Sequence, residues 1–258
     1  MVQRLVPFFG LALLFAACSA PSARIMPRYA QLDIGGDIGV QQGSSVTAQA
    51  SVDALGLEKD DGVLGARIDA QLGGHWTFSF QSSTHDGDGV ADATLSQSGF
   101  TINVGDPVSS KLDLGLYQGA VTWDLLPTDV VELGLGLGVT AVDIDAEITE
   151  KIGGESVATN EIVPIPVLQG RLGFDLGPVE VEGLLGWVSI DYSGDEATFL
   201  DFDGMASWRF FGDDDRLAGW LALGYRYVDV EVAYDDSGDS VDAQIDFSGP
   251  WLGLALSF

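Results

Sequence analysis

Residues 241–258 read VDAQIDFSGPWLGLALSF, and this stretch decides the fold. Leu252, Leu254, Leu256 and Phe258 are apolar at every second position, and the chain stops on the aromatic. A period of two means a strand with one apolar face. That face has to meet either a protein core or lipid. A soluble sheet rarely needs its last residue to be a Phe on that face.

The parity of Phe258 can be carried up the strand. It puts Asp242, Gln244 and Asp246 on the Phe258 side and Ile245 and Phe247 on the other, so polarity inverts while the register holds. Residues 130–145 do the same. Val131, Leu133, Leu135, Leu137 and Val139 share a face with Asp143 and Asp145, and Val142 and Ile144 lie opposite. In 217–234, Leu221, Leu223, Tyr225 and Tyr227 give way to Asp229 and Glu231, with Val228, Val230 and Val232 on the other side. Residues 111–125 run in reverse order, with Tyr117, Val121 and Trp123 below Lys111 and Asp113, opposite Leu112, Leu114 and Leu116. A wall that stands partly in lipid explains the inversion. In lipid the outside must be apolar and the inside can be polar; above it the outside meets water and the inside packs like a soluble core.

The same alternation recurs along the chain. Strands are expected at 31–41, 63–72, 75–84, 111–125, 130–145, 165–176, 179–192, 198–210, 217–234 and 241–258, with a bulge near Gly204 so that Trp208 and Phe210 reach lipid. Every second connection is tight, at Gly73, Pro127, Pro178 and Gly212. Several of those between are long, at 86–108 (with room for a small hairpin) and 146–163. Short turns at one end and longer loops at the other mark an outer-membrane barrel. The expected fold is all-β, a closed antiparallel up-and-down transmembrane barrel of about ten strands, or eight if two of these segments are loop.

The front end fits export. Residues 1–17 carry one Arg and then an apolar run too short to span a bilayer as a helix. Residues 18–30 form a short periplasmic lead, and 31–258 form the barrel. Leu14-Phe15-Ala16-Ala17-Cys18 resembles a lipobox, in which Cys18 would be acylated; cleavage near Ala20 or Ala23 is the competing reading. A single Cys excludes an internal disulfide. The formal charge of −28 removes any general electrostatic attraction to nucleic acid, while 46% hydrophobic residues are too many for an acidic disordered chain.

With its export signal, strand-turn pattern and terminal Phe, the chain resembles the small monomeric outer-membrane β-barrels of Gram-negative bacteria over almost all of its mature length. The ending resembles their C-terminal assembly signal. The resemblance implies outer-membrane lipid as surroundings, the barrel assembly machinery as a partner acting on the Phe258 terminus, and no cofactor. It names no substrate.

Inside the lower barrel, parity places Arg67, Asp69, Glu132, Arg171, Glu180, Glu182 and Arg226 in the lumen among small residues such as Gly134, Gly136, Gly138 and Gly224. Unpaired charges there would be costly, so they are expected to pair and plug the barrel. Above them Leu112, Leu114, Leu116, Val142, Ile144, Val228, Val230 and Phe247 line an apolar interior, either packed shut or holding a small hydrophobic molecule. A non-enzymatic barrel, structural or ligand-binding, is therefore the first reading. A narrow porin-like channel gated by the Arg67, Arg171 and Arg226 pairs is the second. An envelope-lipid hydrolase is the third, because His85 lies near Ser82, Ser83 and Asp86 in sequence. The omptin-like aspartate–histidine proteases also have ten strands, but none of their motifs is present to carry over.

Two further patterns invite chemistry and are better explained otherwise. Gly134-Leu135-Gly136-Leu137-Gly138 looks like a dinucleotide loop, but no helix pattern follows. Asp86, Asp88 and Asp92 have the carboxylate spacing of a calcium loop without its terminal Glu, so a solvated acidic loop is preferred and no metal is expected. Trp76, Trp123, Trp187, Trp208 and Trp251 fall toward strand ends, where outward ones suit an interfacial girdle, and Trp220 is inward by parity.

Overall fold

The computed structural model describes residues 22–42, 49–57, 61–92, 94–97, 100–126, 128, 130–154, 156–192, 195–213, 217–236 and 239–258. The export signal, Cys18, Pro127 and the side chains of Ile38, Val40, Val232 and Asp242 lie outside the described part. In chain order the strands are β1 (Ser22–Gln42), β2 (Gln49–Ser51), β3 (Asp61–Gln71), β4 (His75–Val90), β5 (Leu95–Gln97), β6 (Phe100–Ile102) and β7 (Pro107–Asp124). They continue as β8 (Val131–Glu150), β9 (Ser156–Asp175), β10 (Val179–Tyr192), β11 (Asp195–Gly212), β12 (Ala218–Asp236) and β13 (Asp239–Ser257). Ten of these are long, and they pair antiparallel in the order β1-β3-β4-β7-β8-β9-β10-β11-β12-β13. The pairing of β13 with β1 closes the barrel. Its last rung is reciprocal: the Ala23 and Phe258 amides each donate to the other's carbonyl at 2.9 Å.

The outer surface carries the apolar belt. Leu133, Leu135, Leu137 and Val139 of β8, Leu221 and Leu223 of β12, and Leu252, Leu254 and Leu256 of β13 all face out. Leu254 is 58% exposed beside Ala255 at 3%, which is a two-residue period seen in three dimensions. Trp123, Trp208 and Phe210 ring the end with the tight turns, and Trp187, Tyr29 and Tyr225 sit higher on the wall. Aromatic rings at both rims of an apolar band suit the two interfaces of a bilayer.

Four expectations are corrected. First, β1 begins at Ser22, so most of the segment assigned to a periplasmic lead is barrel wall. Pro27 had suggested a lead, but Ile25 and Tyr29 face out while Met26 and Arg28 are buried, as a strand requires. Second, 146–163 is not a long loop: β8 and β9 pair from Val131↔Phe174 up to Thr149↔Ser156. Above lipid the outer face of a strand becomes polar, so this stretch looked like loop although Ile144, Ala146 and Ile148 pack against the core. Third, β4 runs to Val90 and β7 starts at Pro107, so the long connection is 91–106 and contains the β5–β6 hairpin. Fourth, no bulge lies near Gly204: Trp208 faces out without one, and the register shift falls later, between Arg209 and Phe211, at the outward Phe210.

The far mouth is capped from within. After β2 the chain turns through 52–57, burying Val52, Leu55 and Leu57. The turn lies directly on β4: the Val90 amide donates to the Ala54 carbonyl at 3.0 Å. A Cβ on Gly87 would sit 2.1 Å from the Gly56 carbonyl oxygen, and one on Gly89 2.0 Å from that of Ala54. Glycine is required at both positions by this approach of backbone to backbone.

Candidate functional site

The lumen is the concave, chemistry-bearing region, and it is closed in layers. At the end with the tight turns, β1, β3, β4, β8, β9, β10 and β13 line an open vestibule of about 260 Å3, with Arg24, His75, Glu132, Arg171 and Glu180 among its residues. Arg24 pairs with Glu180 at 2.6 Å and lies 4.6 Å from the centre of the Trp220 ring, whose Nε1–H donates to Ser257 Oγ at 3.1 Å.

Above the vestibule, Glu182 of β10 bridges two arginines. One oxygen accepts from Arg67 and the other from Arg171 Nε at 3.0 Å. Arg67 also donates from Nε to Asp69 at 2.9 Å, and Arg171 pairs with Glu132. In the next layer Asp203 accepts from Arg28 Nη1 at 2.5 Å and from Trp251 Nε1 at 2.9 Å, with the Arg28 guanidinium 4.9 Å from the Trp251 ring centre. Gly224 makes the room, since a Cβ there would lie 2.3 Å from the Trp251 ring.

Then Arg226 grips Asp201 at two points and donates from Nη1 to Gln81 Oε1 at 2.9 Å. Gln118 joins this layer through Asp201, Gln169 and Ser79. Arginine suits the layers because its planar fork can hold two carboxylate oxygens at once. Each buried charge thereby gains the partner that low dielectric demands.

All seven residues singled out for the lumen line it, and five of them, Arg67, Asp69, Glu132, Arg171 and Glu182, form one connected set. Glu180 pairs lower down with Arg24, and Arg226 higher up with Asp201. Sequence reasoning missed Arg24, Arg28, Asp201, Asp203, Gln81, Gln118 and Gln169. Arg24 and Arg28 were hidden by reading their strand as a lead. Asp201 and Asp203 share a face with Met205 and Ser207 and oppose Phe202 and Trp208, a parity obscured by the expected bulge.

Above the polar layers, Leu112, Leu114, Leu116, Val142, Val228 and Phe247 are buried, and Ile144 and Val230 pack against them. Leu32, Ile34, Phe199 and the cap residues complete this core. The gap left among Leu114, Leu116, Phe247, Gln81, Ser83 and His85 is about 10 Å3. That is room for about one water.

The remaining candidates are dispersed. His85 and Ser83 both face inward beside the same small gap, whereas Ser82 and Asp86 face outward, so the acid and one serine lie on the other side of the wall from His85. Asp86 and Asp88 stand exposed on β4; Asp88 pairs with Lys151 at 2.8 Å, and Asp92 accepts from the Ser51 hydroxyl at 2.9 Å. Among the described residues no three His, Cys, Asp or Glu side chains group as metal ligands. Gly134, Gly136 and Gly138 lie on β8, where a Cβ on Gly136 would sit 1.8 Å from the Val121 carbonyl oxygen of β7. That crowding, with no helix following, accounts for the glycines.

No family model and no curated protein sequence matches this chain. Solved structures do. The outer-membrane protease OmpT of Escherichia coli superposes with a TM-score of 0.51 at 9% identity, covering 92% of this chain and 97% of that one. Ail, the attachment invasion locus protein of Yersinia pestis, gives 0.37 at 10% identity over 93% and 100% of the two chains. The toluene transporter TodX of Pseudomonas putida gives 0.32 at 11% identity over 93% and 90%. At these identities the likeness concerns the fold. Closed ten-strand antiparallel topology, an apolar outer belt and a charged interior give this chain the fold of an outer-membrane β-barrel.

Proposed function

We propose that this barrel is a non-conducting, non-enzymatic element of the outer membrane, whose interior serves its own stability. The observation that carries this reading is the stack of ion pairs across the lumen, Glu182 with Arg67 and Arg171, Asp203 with Arg28 and Asp201 with Arg226, beneath an apolar core and an inward-folded cap. Opening a water path would strip partners from several buried charges at once, each at a cost of several kcal/mol. Packing rather than storage of a ligand is supported beside Leu114, Leu116 and Phe247, where the gap holds about one water. The barrel works as a monomer in outer-membrane lipid and offers its Phe258 terminus to the barrel assembly machinery.

Planar-bilayer recording of the refolded protein tests the reading, with folding checked by heat-shifted gel mobility. A silent bilayer is expected. Discrete conductance steps that change in Glu132→Gln or Arg226→Ala would replace the plug with a narrow channel.

A further inference from the structure

The seam between β9 and β10 is cut short at the height of two prolines. β9 and β10 pair from Asp175↔Glu180 up to Leu168↔Trp187 and no further. Yet β9 continues upward to Ser156, paired on its other side with β8, and β10 continues to Tyr192, paired with β11.

The backbone gives the reason. On β9 the Asp175 amide donates toward β8, to the Val130 carbonyl, and the next amide, Leu176, donates toward β10, to Val179. In an antiparallel strand the direction alternates residue by residue, so the even-numbered residues of β9 face β10. The next two such residues above Leu168 are Pro166 and Pro164, neither of which has an N–H to donate.

The height of the break follows from its neighbours. Pro166 is level with Val139 of β8 and Pro164 with Ala141, the last apolar outward residues before Asp143. The break therefore lies at the outer-leaflet edge of the apolar belt, with exposed Trp187 and Leu168 at its foot. Behind it the wall is apolar: Val167 and Phe199 are buried, Ile165 and Val188 pack on the upper core, and Val188 neighbours Phe199 across β10 and β11.

We propose that this seam is a lateral port in which one hydrocarbon chain of an outer-leaflet lipid seats, passing between Pro164–Pro166 and Val188–Ser189 to rest on Ile165, Val167 and Val188. An open strand edge in contact with lipid would normally be too costly, because its amides would lack partners. The prolines lower that cost by removing two donors. They also discourage an added peptide strand, which would look for those donors. An acyl chain asks for none. The port concerns the side of the barrel and is independent of whether the lumen conducts.

The test uses full-length protein in vesicles containing a phospholipid with a photoactivatable diazirine midway along one acyl chain, and adducts are mapped by mass spectrometry. Outward Leu168 and Trp187 are labelled in any case and serve as the internal standard. Adducts on inward Ile165, Val167 or Val188 are expected, and their absence overturns the proposal. In Pro164→Val/Pro166→Val, with both donors restored, the β9–β10 ladder extends, and inward adducts are lost while outward ones persist. Unchanged inward labelling in that variant, with heat-shifted mobility showing that it is folded, also overturns the port. If that variant does not fold, Val188→Trp fills the inner side of the seam and is expected to remove adducts at Ile165 and Val167. Chain-to-chain crosslinks at this edge in place of lipid adducts would assign the seam to a second copy and reject the proposal.

Discussion

Arg226 holds Asp201 at two points, Nε to Oδ1 at 3.1 Å and Nη2 to Oδ2 at 2.8 Å, from the neighbouring strands β12 and β11. Both side chains are only 2% exposed, so neither charge has water as an alternative partner. The pairing of β11 with β12 thus places a two-point charge contact at the top of the charged stack. The apolar core starts directly above, with Val228 two residues beyond Arg226 on the same inward face.

Arg226→Ala leaves Asp201 buried without its cation and is expected to destabilise the barrel by about 3–5 kcal/mol. Equilibrium unfolding in urea with lipid vesicles measures it. Replacing both partners by apolar residues, Arg226→Met with Asp201→Leu, should recover most of the loss, because the cost comes from the stranded charge. A double variant as weak as the single one would show that the pair itself contributes net stability.

Gly224 touches the Trp251 ring, and Gly224→Val would drive the ring off its site and away from Asp203. Overpacking of this kind costs about 1–3 kcal/mol. Intrinsic tryptophan emission should shift to the red as Trp251 loses its buried position. An unshifted spectrum with unchanged unfolding would mean that the ring has another place to go.

Leu114→Trp tests whether the upper interior is a packed core or a container. With about 10 Å3 free beside Leu114, the larger ring has no space. The midpoint of unfolding should fall by the equivalent of about 1–3 kcal/mol. A variant as stable as the parent would reveal unfilled volume, and with it room for a ligand.

Ser82 and Asp86 face outward while His85 is buried inside the wall, so they cannot act together as a hydrolytic relay. Ser82→Ala and Asp86→Ala are expected to leave the envelope lipid profile of expressing cells unchanged. Mass spectrometry of extracted lipids checks this, and a product lost in either variant would restore the enzyme reading.

Local periodicity alone determined much of this protein. Alternation from Leu252 to Phe258, repeated with its polarity inversion in 111–125, 130–145 and 217–234, specified a closed barrel standing partly in lipid, because a strand's two faces report the two media it separates. The same parity put Arg67, Arg171, Glu182 and Arg226 in the lumen. Tertiary structure decided which charges meet. Glu182 takes both Arg67 and Arg171, and Arg28 reaches Asp203 from the far end of the chain, through closure of β13 on β1. It also folded 52–57 into the mouth and revealed that the ladder between β9 and β10 ends at Leu168. The physical reason is one of range. Side-chain direction follows from neighbours along the strand, whereas partners across a lumen depend on strand number, stagger and the direction of each amide, which are set only when the sheet closes.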